Sequence, residues 1–113
     1  MAMFRCSGDG KSFETPEFIK RIGTVGIKGA LNTTITNDCD KDAYYGLWVN
    51  FPSASSTQKH TVTVIQNGKE YKNTKSGAVA HGWMLKLKNG ESFVLKVTSD
   101  NYTNAGYIIT VYG

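Results

Sequence analysis

The chain has 113 residues, 40% of them hydrophobic and 19% charged, and carries a formal net charge of +4. That length holds one domain with a real core and excludes two ordinary ones. Two tryptophans, six tyrosines and five phenylalanines exclude a disordered tail; 12 glycines without a three-residue period exclude collagen.

The opening residues, Met1–Gly10, contain no apolar leader core, so synthesis in the cytoplasm is expected, with secretion as the alternative. No apolar run reaches membrane-spanning length. Residues 1–14 are polar and glycine-dotted after Met3–Cys6. They read as a flexible or interface segment, with Phe4 its candidate contact, ahead of a single domain at 15–113. The run Cys6-Ser-Gly8-Asp-Gly10-Lys11 lacks the spacing of a phosphate-binding loop.

One short helix is expected over residues 16–22. Thr15 can cap it, Pro16 stands at its first position, Glu17 favours its positive end and Gly23 can stop it. Phe18, Ile19 and Ile22 fall on one side of it.

Beyond Gly23 the period becomes two. Val25 and Ile27 alternate with glycine and lysine, and Leu31, Thr33 and Ile35 alternate with Asn32, Thr34 and Thr36. In Tyr44–Phe51, Tyr45, Leu47, Val49 and Phe51 share one face, leaving Tyr44 and Trp48 on the other. The serine-rich run 52–57 is a loop. Thr61–Gln66 and Glu70–Thr74 flank Asn67-Gly68, while Trp83–Lys88 and Ser92–Thr98 flank Asn89-Gly90. Both Asn-Gly pairs signal hairpins. A polar turn over 100–106 leads to a last strand at Tyr107–Tyr112. Seven to nine short strands with regular turns read as an all-β fold, an antiparallel β-sandwich of jelly-roll or immunoglobulin-like type.

Chemistry is harder to find. Asp38, Asp40 and Asp42 alternate as in a calcium loop, but Ala43 and Val49 stand where such a loop needs glycine and glutamate. A turn is the better reading, and no cofactor is expected. His60 and His81 lack closely spaced partner ligands and any nucleophile motif, and read as surface residues at strand ends. Cys6 and Cys39 read as free thiols, although one bridge would also satisfy them. Asn32-Thr-Thr and Asn101-Tyr-Thr match the glycosylation pattern.

Charge is lopsided. Residues 1–58 balance six basic against six acidic residues, whereas 59–113 hold seven lysines and three acids. Lysine suits a solvated face or a guarded sheet edge, and the absence of arginine there argues against nucleic acid. The aromatics carry the most information. Trp83 aligns with Leu85 and Leu87 as core, whereas outward Tyr44 and Trp48, with Tyr102, are candidates for an interface or for stacking on sugar rings.

Two resemblances follow. The start, Met1-Ala-Met-Phe4-Arg5-Cys6-Ser-Gly8-Asp-Gly10, resembles small proteins of phage and prophage structural regions, which begin with a Phe-Arg-Cys-Gly-rich stretch. That implies a virion- or tail-associated, oligomeric component, with no catalytic residues to carry over. The end, Gly90-Glu-Ser-Phe93-Val-Leu95-Lys-Val97 through Gly106-Tyr107-Ile-Ile109-Thr-Val111, is similar to the last strands of pre-peptidase-type and carbohydrate-binding sandwiches. The acidic strand of that family, Asp-x-Asp-Leu-Tyr, has no counterpart; Tyr44-Tyr-Gly-Leu-Trp-Val stands nearest. The expectation is a non-enzymatic, self-associating structural or attachment protein, contacting virion proteins or a glycan. The alternative is a secreted carbohydrate-binding module. A lysine-faced inhibitor is a third reading.

Overall fold

The computed structural model describes the backbone of Met3–Arg5, Ser12–Glu14 and residues 17–113, and the side chains of 17–22 and 26–113. β1 (Met3–Arg5) pairs antiparallel with β2 (Ser12–Glu14) and sets Phe4 opposite Phe13 in register. The Phe4 side chain lies outside the described residues.

Eight further strands follow: β3 (Phe18–Gly26), β4 (Leu31–Thr36), β5 (Ala43–Asn50), β6 (Lys59–Gln66), β7 (Lys69–Ser76), β8 (Ala80–Leu87), β9 (Ser92–Ser99) and β10 (Gly106–Tyr112). They form two four-stranded sheets, β3-β10-β5-β8 and β4-β9-β6-β7, with every neighbouring pair antiparallel. The pairs β3·β10, β4·β9, β5·β8 and β6·β7 nest inside one another, as in a hairpin folded over on itself.

Strict alternation builds the core. β5 buries Ala43, Tyr45, Leu47 and Val49, β9 buries Phe93, Leu95 and Val97, and β10 buries Tyr107, Ile109 and Val111. Phe51 closes one end and Asn37 fixes the other. The Asn37 amide Nδ2 donates to the Lys41 and Leu87 carbonyls at 2.8 and 3.0 Å, and its Oδ1 accepts from Cys39 N and the Tyr45 hydroxyl. A buried carboxamide with every bond made costs little. It ties the loop after β4 to the end of β8.

The helix expected over 16–22 is absent; Phe18–Gly26 is a strand. Its register with β10 slips twice: Val111 and Tyr112 face Lys20 and Phe18, and Tyr107 and Ile109 face Val25 and Ile22. Each slip inserts one extra residue in β3, and the one at Ile19 breaks the period of two and leaves Phe18, Ile19 and Ile22 at a spacing like that of a helix. Pairing also satisfies the backbone of β10, which an isolated two-turn helix would leave open.

The two Asn-Gly pairs diverge. Asn67 and Gly68, at φ 53 and 75, make the two-residue turn of the β6–β7 hairpin. Asn89-Gly90 makes no hairpin, because β8 and β9 belong to different sheets. There only Gly90 has positive φ, 82, and Glu91 N donates to Lys88 O at 2.9 Å, as in a type II turn crossing between sheets.

Candidate functional site

β5 places its odd residues in the core and its even ones on the outer face of the first sheet. Trp48 is 54% exposed there and Tyr44 39%. From β8, Met84 is 60% exposed and stands opposite Gly46, while Gly82 stands opposite Trp48. The glycines leave room for their large neighbours: the Met84 methyl lies over Gly46, and the six-membered ring of the Trp48 indole lies over Gly82. A glycine inside a strand marks such close approach. The face is paved with large apolar groups on rigid backbone.

Its two ends differ. At the Tyr44 end, β10 contributes Tyr112 and β3 Phe18, whose rings meet edge to face at 6.4 Å. Lys86 Nζ stands 5.8 Å from the Tyr44 ring and the Arg21 guanidinium 5.9 Å from Phe18, both within cation–π range. At the Trp48 end, a shallow depression of about 230 Å³ is lined by Trp48, Asn50, Asn104, Gly106, Tyr107 and Ile108. Asn104, at φ 57, donates from Nδ2 to Ser53 Oγ at 3.2 Å.

Tyr102 takes no part in this face. Its hydroxyl accepts from Ser99 N at 3.0 Å and its ring packs against the core, so it shapes the loop. Next to it, Asn101 Nδ2 donates to Ser53 O and to Gln58 Oε1, each at 3.0 Å. That amide nitrogen, the one a glycan would modify, is engaged in holding two loops together.

The acidic triplet disperses into turn structure. Asp38 pairs with Lys20 at 2.6 Å, Asp42 accepts from Asn89 N at 3.2 Å, and Asp40 takes a left-handed conformation, φ 61. The ammonium of Lys20 holds the Asp38 carboxyl below its ordinary value. No three metal-ligating side chains come together among the described residues. Cys39 is a free thiol among those residues, 3.8 Å from the Tyr45 hydroxyl, whose own titration burial pushes up.

The histidines overturn the sequence expectation. His60 and His81 are 1% and 0% exposed, not surface residues. They come from opposite sheets, and His60 Nδ1 lies 2.7 Å from His81 Nε2. Phe51 stacks on His60 at 4.1 Å between ring centroids. Burial, then the neighbouring His60 and Lys75, push His81 down to about 4. Nothing in the local sequence marks this pair, since the two residues meet only when the sheets close. Trp83, expected in the core, is half-buried at its edge and packs against it.

Five of the seven lysines of the second half, Lys59, Lys69, Lys72, Lys75 and Lys96, lie on the second sheet; Lys86 is on β8 and Lys88 in the turn after it. β7 is an exposed edge strand bearing Lys69, Lys72 and Lys75, as edge protection requires. Lys75 Nζ donates across to Ala80 O at 3.0 Å, bracing the seam between the sheets.

Sequence reasoning located Tyr44 and Trp48 on this face but missed Asn50 and Asn104, which lie far apart in the chain. The glycines within β5 and β8 were the available signal. No family model matches the chain, and no curated protein matches it significantly.

Proposed function

We propose that this chain is a non-enzymatic structural or attachment protein, of phage or prophage origin, that works as an oligomer through the outer face of its first sheet. One observation carries the reading: Trp48 and Met84 are more than half exposed side by side on paired strands. Exposed contiguous apolar surface of this kind marks interaction sites. The nested strand order is that of a jelly roll, an architecture used in virion shells and in lectins. That analogy is one of fold only. The phage setting rests on the resemblance of Met1–Gly10.

The Tyr44 end suits burial between copies or against other virion proteins. Phe18, Tyr44, Met84 and Tyr112 supply apolar area, and Arg21 and Lys86 already lie over aromatic rings. Size exclusion coupled to light scattering, with and without reductant, tests this. The expected result is a discrete oligomer in both conditions that Tyr44→Ala with Met84→Ala converts to monomer. A monomer at every concentration overturns it.

A second reading, a secreted carbohydrate-binding module, is favoured by the Trp48 end, where two carboxamides flank an open indole. Trp48→Ala alone separates the two uses of that ring. Loss of assembly puts Trp48 between copies; retained assembly leaves it to a ligand.

A further inference from the structure

We propose that the depression formed by Trp48, Asn50 and Asn104 is a binding site for a neutral saccharide ring. The inference rests on the carbohydrate-binding reading and names its ligand class and its polar contacts.

Three features converge. Trp48 is a rigid strand residue whose ring is backed by Gly82 and open on its other side, which is what the apolar C–H face of a pyranose packs against. Asn50 lies on the same face of β5, one alternation beyond Trp48. Asn104 reaches the same depression from the loop before β10. A carboxamide both donates and accepts, and so does a sugar hydroxyl; two of them beside an aromatic face match vicinal hydroxyls on a stacked ring.

The charge decides the class. None of the side chains around the depression is ionised, so neither a phosphate nor an acidic sugar finds a cation there, and a cationic ligand finds no carboxylate. The site is also built in advance. Asn104 is held by Ser53 Oγ, and Asn101 ties the same loop to Ser53 O and Gln58. Ordering these loops on folding removes that cost from binding. Gly106 adds no side chain to fill the depression.

A single shallow site of this kind binds weakly. An oligomer would present several in parallel, and linked copies gain avidity without new contacts. The inference is therefore compatible with assembly through the Tyr44 end.

The test uses the full chain carrying Trp83→Phe, so that Trp48 is the remaining indole. Galactose, glucose, mannose and N-acetylglucosamine are titrated, with N-acetylneuraminic acid and heparin as anionic probes. Tryptophan fluorescence and the side-chain amide signals of Asn50 and Asn104 in nitrogen-15 spectra are followed. The expected result is a saturable change with at least one neutral sugar, unaffected by salt. Trp48→Ala, read from the Asn50 and Asn104 amide signals because it removes the remaining indole, should abolish the response, and Asn50→Ala and Asn104→Gly should each weaken binding by about tenfold, with folding verified by circular dichroism. Glycine at 104 keeps the left-handed backbone while deleting the amide. Binding of the anionic probes alone, falling with salt, overturns the neutral ligand but leaves the carbohydrate-binding reading. Neutral-sugar binding that leaves both amides unmoved overturns the site. No response to any sugar removes the inference and that reading together, without touching assembly.

Discussion

His60 Nδ1 and His81 Nε2 are 2.7 Å apart across the seam between the sheets, and the carbonyl of Gly77 sets the direction of that bond. The carbonyl only accepts, so His60 carries its proton on Nε2. In the neutral pair its Nδ1 must then accept, and His81 carries its proton on Nε2 as well. His81 Nδ1 is left as a buried lone pair with no donor. An added proton there would place charge in the core.

Acid should therefore loosen the fold before the carboxylates titrate. Unfolded, His81 takes a proton near 6.5; folded, only near 4. The unfolded chain binds the extra proton first, so stability is full above about pH 6.5 and falls as pH drops toward 4. The total loss is about 3 kcal/mol, and it levels off below the folded value. Urea unfolding at pH 7.5, 5.5 and 4.5 measures it. His81→Gln keeps a donor toward His60 and should flatten the curve across that window. Asp38 and Glu91, whose carboxyls are held below their ordinary values by Lys20 and by the Lys88 backbone N–H, add their losses only at lower pH.

Asn37→Ala should be among the most damaging single changes. It strips the donors that reach Lys41 O and Leu87 O and the acceptor used by Cys39 N and Tyr45. Orphaned buried partners put the cost at about 3 kcal/mol. Asn37→Asp should fail as well, because a carboxylate cannot donate to two carbonyls. Denaturant midpoints at neutral pH decide it.

Neighbours on β5 should behave oppositely. Leu47→Ala opens a cavity in a core position that is 2% exposed and should cost about 3 kcal/mol. Trp48→Ala removes a larger side chain yet should change stability by no more than about 0.5 kcal/mol. Equal losses at 47 and 48 would contradict the assignment of faces.

Gly68→Ala and Gly90→Ala should each cost about 1 kcal/mol, because both glycines have positive φ. Crowding plays no part, since nothing stands within 4 Å of where either added methyl would sit. Gly29→Ala, equally open but without positive φ, should be neutral or slightly stabilising. Thermal unfolding of the three variants separates backbone strain from crowding.

Much of the fold was legible because alternation and turn chemistry are local. Tyr45, Leu47 and Val49 against Tyr44 and Trp48 state which face is buried, and Asn67-Gly68 states its hairpin outright. The errors have one cause. In Phe18–Ile22 the bulge at Ile19 imitates helical spacing, and a bulge is a property of the pairing with the strand opposite. Asn89-Gly90 turns between sheets because the partners of β8 and β9 lie elsewhere in the chain.

An all-β chain, its strands, its outward aromatics and its lysine-guarded half are each encoded within a few consecutive residues, and could be read there. The nested strand order, the His60–His81 pair and the meeting of Trp48 with Asn50 and Asn104 could not. Those relations join residues that are distant in the chain or held by opposite sheets. They exist only once two sheets have closed on a common core.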